Sequence, residues 1–185
     1  MSPIGRLGAA FGVLGVLVLV VQPLFRLTPY VLEAIRGGLT GFQWTVLCLW
    51  VLVNAHAEGW RGFHQRFAPR VVVRAYYLGR NPRPHWVLLA PLFCMSLFHA
   101  SRRGLLVARL LVVGIVLLVL AVRQLSQPWR GIVDAGVVAG LGLGALSLVV
   151  HLGRALLGRL PDVPPDLPLE SDPESGPASG RTPDR

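Results

Sequence analysis

The chain has 185 residues, of which 53% are hydrophobic and only 15% charged. Charged residues approach a quarter of an ordinary soluble domain, so the composition excludes one and marks a single membrane domain with a tail. The formal charge of +9 arises from 18 basic residues, every one arginine, against nine acids, a usage in keeping with a GC-rich bacterial genome. Arginines dispersed between apolar runs suit a phospholipid surface rather than a nucleic acid, and no nucleic-acid partner is expected.

The first apolar run, residues 7–25, is long enough to cross a bilayer core, which takes about 20 residues. Arg6 precedes it as in a signal peptide, but Gln22-Pro23-Leu24-Phe25 offers no small-residue cleavage site, so an uncleaved span is expected. Gly8, Gly12 and Gly15 form a smooth stripe on which another helix can approach closely. A short link with Arg26, Pro29, Tyr30, Glu33 and Arg36 ends at Gly37-Gly38. The second span is read at about 39–55, with Asn54 and His56 at its exit.

Residues 57–103 are basic, with Arg61, Arg66, Arg70, Arg74, Arg80, Arg83, Arg102 and Arg103 against Glu58 alone. On helical spacing Trp60, Phe63, Phe67 and Val71 share a face flanked by Arg66, Arg70 and Arg74, the pattern of a helix lying in the headgroup layer. Pro69 is expected to divide it into two short pieces. Arg61, Arg66, Arg70 and Arg74, with Trp60, Phe63 and Phe67, are therefore candidate anionic-lipid contacts, each arginine contributing about 1 kcal/mol. The alternative is that these arginines only set topology.

Residues 86–100 are too short to be an obvious span and contain Pro91, so they are read as interfacial or re-entrant. Basic residues favour the cytoplasmic side. If this segment crosses, giving five spans, arginines divide nine against seven before the tail; if it does not, they divide twelve against four. The second division satisfies the rule, and it predicts an all-α integral membrane protein with four spans and both termini cytoplasmic.

The third span is read at 104–122, with Arg109 able to snorkel, and the fourth at 132–152. Gly136, Gly140 and Gly144 make two overlapping G-x-x-x-G units, either a homodimer seam or a surface for packing against the glycine stripe of the first span. Asp134 stands four residues after Arg130, within helical ion-pair reach. The tail, 161–185, carries six of the nine acids and seven prolines, and is expected to be disordered and to compete with lipid for the basic stretch.

Chemistry is sparsely signalled. His56, His64, His99 and His151 could converge on a metal or haem, but no compact ligand spacing such as H-E-x-x-H is present, and no cofactor is predicted. Cys48 and Cys94 lack zinc or disulfide spacing and are expected to be small buried hydrophobes. No nucleophile is paired with an oriented base. The expected role is a non-enzymatic scaffold or accessory subunit in a bacterial inner membrane, contacting anionic lipid and a membrane-protein partner or second copy. A haem- or metal-binding redox protein and a small transporter are the alternatives.

Overall fold

The computed structural model describes residues 2–167, and every regular element among them is a helix. Helix α1, Pro3–Arg36, begins where the Ser2 hydroxyl accepts a hydrogen bond from the Gly5 amide at 3.1 Å and Pro3 occupies the first turn. It does not end at residue 25 as the sequence reading had it. Pro23 and Pro29 each remove a backbone donor but remain inside the helix, and residues 26–36 continue it to a turn at Gly38, whose φ is +84°. At 1.5 Å per residue, α1 is about 50 Å long.

A capping box opens α2, Gly41–Asn54: the Gln43 amide donates to the Thr40 hydroxyl, and the Thr40 amide to the Gln43 side chain. Its 14 residues are fewer than an upright span needs. The chain does not leave the helix at His56, however. It passes into a π-helical stretch, Ala55–Phe67, and then into α3, Ala68–Arg80, so that residues 41–80 form one unbroken helical rod. Pro69 therefore does not divide it into two pieces. The Ala68 amide bonds the Phe63 carbonyl, five residues back, and Pro69 falls at the start of the α-helical piece, where a missing amide is cheapest.

The rod runs antiparallel to α1, with Gly5 against the Gly79 carbonyl at the end where α1 begins. Two five-residue helices follow, α4 (Pro84–Leu88) and α5 (Ala90–Cys94). They descend beside α1: Gly8 faces Val87, Gly12 faces Ala90 and Cys94, and Gly15 faces Pro91. Turns through residues 95–101, with positive φ at Ser96 and His99, then bring the chain back to the level of Arg74. Helix α6, Arg102–Val122, starts there on a Ser101 cap and runs to the opposite end with only Val122 buried.

Helix α7, Trp129–Leu156, returns alongside α1, from Gly131 against Ala34 and Tyr30, and fills the space between α1 and the rod. The main core lies between α1, α3, α5 and α7 and includes Val16, Val71, Leu78, Phe93 and Leu148. A smaller cluster of Leu47, Ile132 and Ala135 closes the other end. Three helices, α1, α6 and α7, are long and apolar enough to cross a membrane.

Candidate functional site

Arg74 departs furthest from the sequence reading. It was expected on a lipid-facing flank but is fully buried, at 0% exposure. Its Nε donates to the Phe93 carbonyl at 2.6 Å, Nη1 to those of Pro165 (2.8 Å) and Asp166 (3.1 Å), and Nη2 to those of Phe98 (3.2 Å) and His99 (3.1 Å). The guanidinium also stands 4.3 Å from the centre of the Phe93 ring. Arg74 is therefore not available to a lipid phosphate. Five acceptors from two separate stretches of chain converge on one planar fork, a geometry that arginine satisfies and lysine does not.

The carbonyls of Pro165 and Asp166 come from the beginning of the expected tail, so residues 161–167 include a docked stretch; residues 168–185, where the rest of that expectation falls, lie outside the described residues.

The other basic-stretch residues divide. Arg61 and Arg66 are exposed on the π segment and Arg70 is half-buried on α3. The aromatic residues do not share one lipid face: Trp60 is 51% exposed and stacks on His64 with ring centres 4.5 Å apart, whereas Phe63 packs on Gly144 and meets Phe67 edge-on.

The glycine rows do not meet each other. Gly8 and Gly12 receive α4 and α5, while Gly136, Gly140 and Gly144 receive the rod: a Cβ at Gly136 would lie 2.5 Å from the Trp50 indole nitrogen, one at Gly140 3.2 Å from Glu58 Cβ, and one at Gly144 2.6 Å from the Phe63 ring. The same seam carries a hydrogen bond from Trp50 Nε1 to the Val133 carbonyl.

Of the four candidate metal ligands, two are brought together. His64 and His151 have ring centres 4.9 Å apart, and His64 Nδ1 is 3.2 Å from the Ser147 hydroxyl. His56 is exposed earlier on the rod, and His99 packs on Trp86 in the cluster around Arg74. Two imidazoles are fewer than the three or four protein ligands of a usual metal site, and among the described residues no three His, Cys, Asp or Glu side chains gather as a ligand set. The expectation for the cysteines holds for Cys94, which is buried, and not for Cys48, which is exposed.

Arg130 Nε and Asp134 Oδ2 are 3.9 Å apart, and both atoms lack a hydrogen-bond partner. Arg130 is also placed 3.7 Å from the centre of the Tyr30 ring. Because the pair is long and Arg130 has that second contact, Asp134→Asn is expected to cost only about 1 kcal/mol, read as a small fall in the thermal midpoint in detergent. A loss several-fold larger would mean that the carboxylate is the main partner of Arg130.

Helical throughout its regular elements, with three helices capable of crossing a membrane, the molecule has the build of a membrane protein. Set against protein-family models, curated proteins and solved structures, it matches none of them.

Proposed function

We propose that the protein is a small multi-pass scaffold or accessory subunit of a bacterial inner membrane, without catalytic activity of its own, whose basic end contacts anionic lipid on the cytoplasmic side. The chain crosses four times, through α1, the rod, α6 and α7, while α4 and α5 enter and leave on one side. The observation that carries this reading is the alignment of charge with the antiparallel packing. Arg6, Arg80, Arg83, Arg102, Arg103, Arg154 and Arg159 lie toward the end where α1 begins, and Arg36, Arg123 and Arg130 toward the other. That imbalance is what the positive-inside rule favours.

Arg61, Arg66 and Arg70 lie part-way along the rod, and the proposed lipid contact assigns these three to the headgroups. Arg74 has no share in this contact.

Topology is the test. In a Cys48→Ser, Cys94→Ser background, Ser126→Cys is expected to react with a membrane-impermeant maleimide in intact cells, and Ser2→Cys and Asn81→Cys only after permeabilisation. Labelling of Ser2→Cys and Asn81→Cys from opposite sides would overturn the four-crossing arrangement. Lipid retained through purification should also be enriched in anionic species and lose that enrichment when Arg61, Arg66 and Arg70 are changed together to Gln.

A further inference from the structure

Between α7 and the π segment lies a second polar cluster that the contacts described above leave without a role. Ser147, His151 and Arg154 follow one another at i, i+4 and i+7 along α7 and so share a face. Trp60 and His64 face them from the π segment, Trp60 stacked on His64 and His64 within 3.2 Å of the Ser147 hydroxyl. His151 Nδ1 is 2.9 Å from the Ser147 carbonyl. A carbonyl only accepts, so Nδ1 carries the hydrogen, and Nε2 of the neutral ring is left as an acceptor with nothing to donate to an anion. A cavity of about 160 Å³ opens beside these groups, walled by Gly59, Trp60, His64, Leu143, Leu146, Ser147 and Val150.

The chemistry of the walls selects the occupant. At one end stand His64 and the Ser147 hydroxyl, and His151 and the exposed Arg154 continue the same face of α7 beyond them; none of these is a carboxylate, among the described residues the only ion pair is Arg130–Asp134, and Glu58 sits against Gly140, about two turns down α7. The Arg154 charge, just beyond the two rings, attracts an anion and repels a cation. The other end is apolar and open to the surroundings, Leu146 being 59% and Leu143 39% exposed. The polar groups point toward the basic end of the bundle and the leucines toward its middle, which is the order of an amphiphile standing in the cytoplasmic leaflet.

We propose that this groove binds one anionic phospholipid, its phosphate held by His64 and Arg154 and an acyl chain lying along Leu143, Leu146 and Val150. The cavity admits a phosphate-sized head and leaves the chain on the outer face of α7. The site rests on the membrane reading given above but not on Arg61, Arg66 or Arg70.

Trp60 reports on it directly. Full-length protein in mild detergent is titrated with tail-brominated phosphatidylglycerol, and the Trp60 signal is taken as the difference from Trp60→Phe. Saturable quenching is expected, with brominated phosphatidylcholine needing at least about tenfold more lipid. Arg154→Gln, at an exposed position that leaves the fold intact, is expected to raise the half-saturating amount about tenfold, the loss of one charge-assisted hydrogen bond. His64→Gln should act in the same direction.

Equal quenching by both lipids, or indifference to Arg154→Gln, would overturn the proposal. So would a Trp60 response to millimolar inorganic phosphate with no quenching by the brominated lipid, which would assign the anion site to free phosphate. If instead Trp60 is indifferent while enrichment of anionic lipid still depends on Arg61, Arg66 and Arg70, this site fails and the wider lipid reading stands.

Discussion

Replacing Arg74 by leucine is expected to destabilise the protein by about 3–5 kcal/mol, the usual range for breaking a buried charged network, and to expose a thiol that is otherwise sealed. The substitution fills part of the space with apolar atoms but leaves carbonyls of Phe93, Phe98, His99, Pro165 and Asp166 without their donor. Of these, the Asp166 carbonyl keeps the Ser101 amide at 3.2 Å and the Phe93 carbonyl keeps the Ser96 amide at 3.1 Å. Each buried carbonyl left unpaired costs about 1–3 kcal/mol, less where water enters.

Cys94 makes the effect measurable. It is 1% exposed, and its backbone adjoins the Phe93 carbonyl that Arg74 holds. In a Cys48→Ser background the wild-type side chain should be unreactive toward a thiol reagent in mild detergent, and Arg74→Leu should make it react. Arg74→Lys should fall between the two, since an ammonium has three donors for five acceptors. Arg66→Leu, at an exposed position, should change stability by no more than about 0.5 kcal/mol. If Arg74→Leu proved as stable as Arg66→Leu, with Cys94 still protected, the five hydrogen bonds would not be what joins α3, the turns after α5 and the docked stretch at 165–166.

The arginines also show how far a local pattern reaches. Arg66, Arg70 and Arg74 are equally spaced in the sequence, but the first is exposed, the second half-buried and the third buried completely. One signal separates them: Arg74 is enclosed by Val71, Val72, Val73 and Ala75, whereas Arg66 adjoins Gln65 and Arg70 adjoins Pro69. The helical spacing used for Trp60, Phe63, Phe67 and Val71 presumes 3.6 residues per turn, and the stretch from Ala55 to Phe67 does not keep that period, so faces assigned across it drift. The apolar runs at the beginning of α1, in α6 and in α7 were legible because composition alone makes them long and lipid-compatible. What joins them was not: the pairing of Gly136 with Trp50, or of Arg74 with Pro165, links residues 86 and 91 positions apart, and no short window contains both partners.

The second large effect is expected along the glycine row of α7, and it is graded. At Gly136 and Gly144 a Cβ would fall 2.5 Å and 2.6 Å from Trp50 and Phe63, side chains already packed in the seam, so even Gly→Ala should cost about 1–3 kcal/mol. At Gly140 the nearest atoms are Glu58 Cβ and a Glu58 carboxylate oxygen, both 3.2 Å away; the oxygen can turn aside and the Cβ has to give by only a few tenths of an ångström, so Gly140→Ala should cost less than about 1 kcal/mol, and Gly140→Leu several times more. Gly142 has nothing within 4 Å, so Gly142→Ala should be neutral or stabilising by up to about 1 kcal/mol through helix propensity alone.

Unfolding of these five variants in detergent, with sedimentation to follow mass, separates the two uses of the row. Packing against the rod predicts loss of stability in the order Gly136 and Gly144 before Gly140, at unchanged mass. A seam between two copies predicts a fall in mass with little change in the stability of the single chain, and that result would move Gly136, Gly140 and Gly144 from the inside of one molecule to the contact between two.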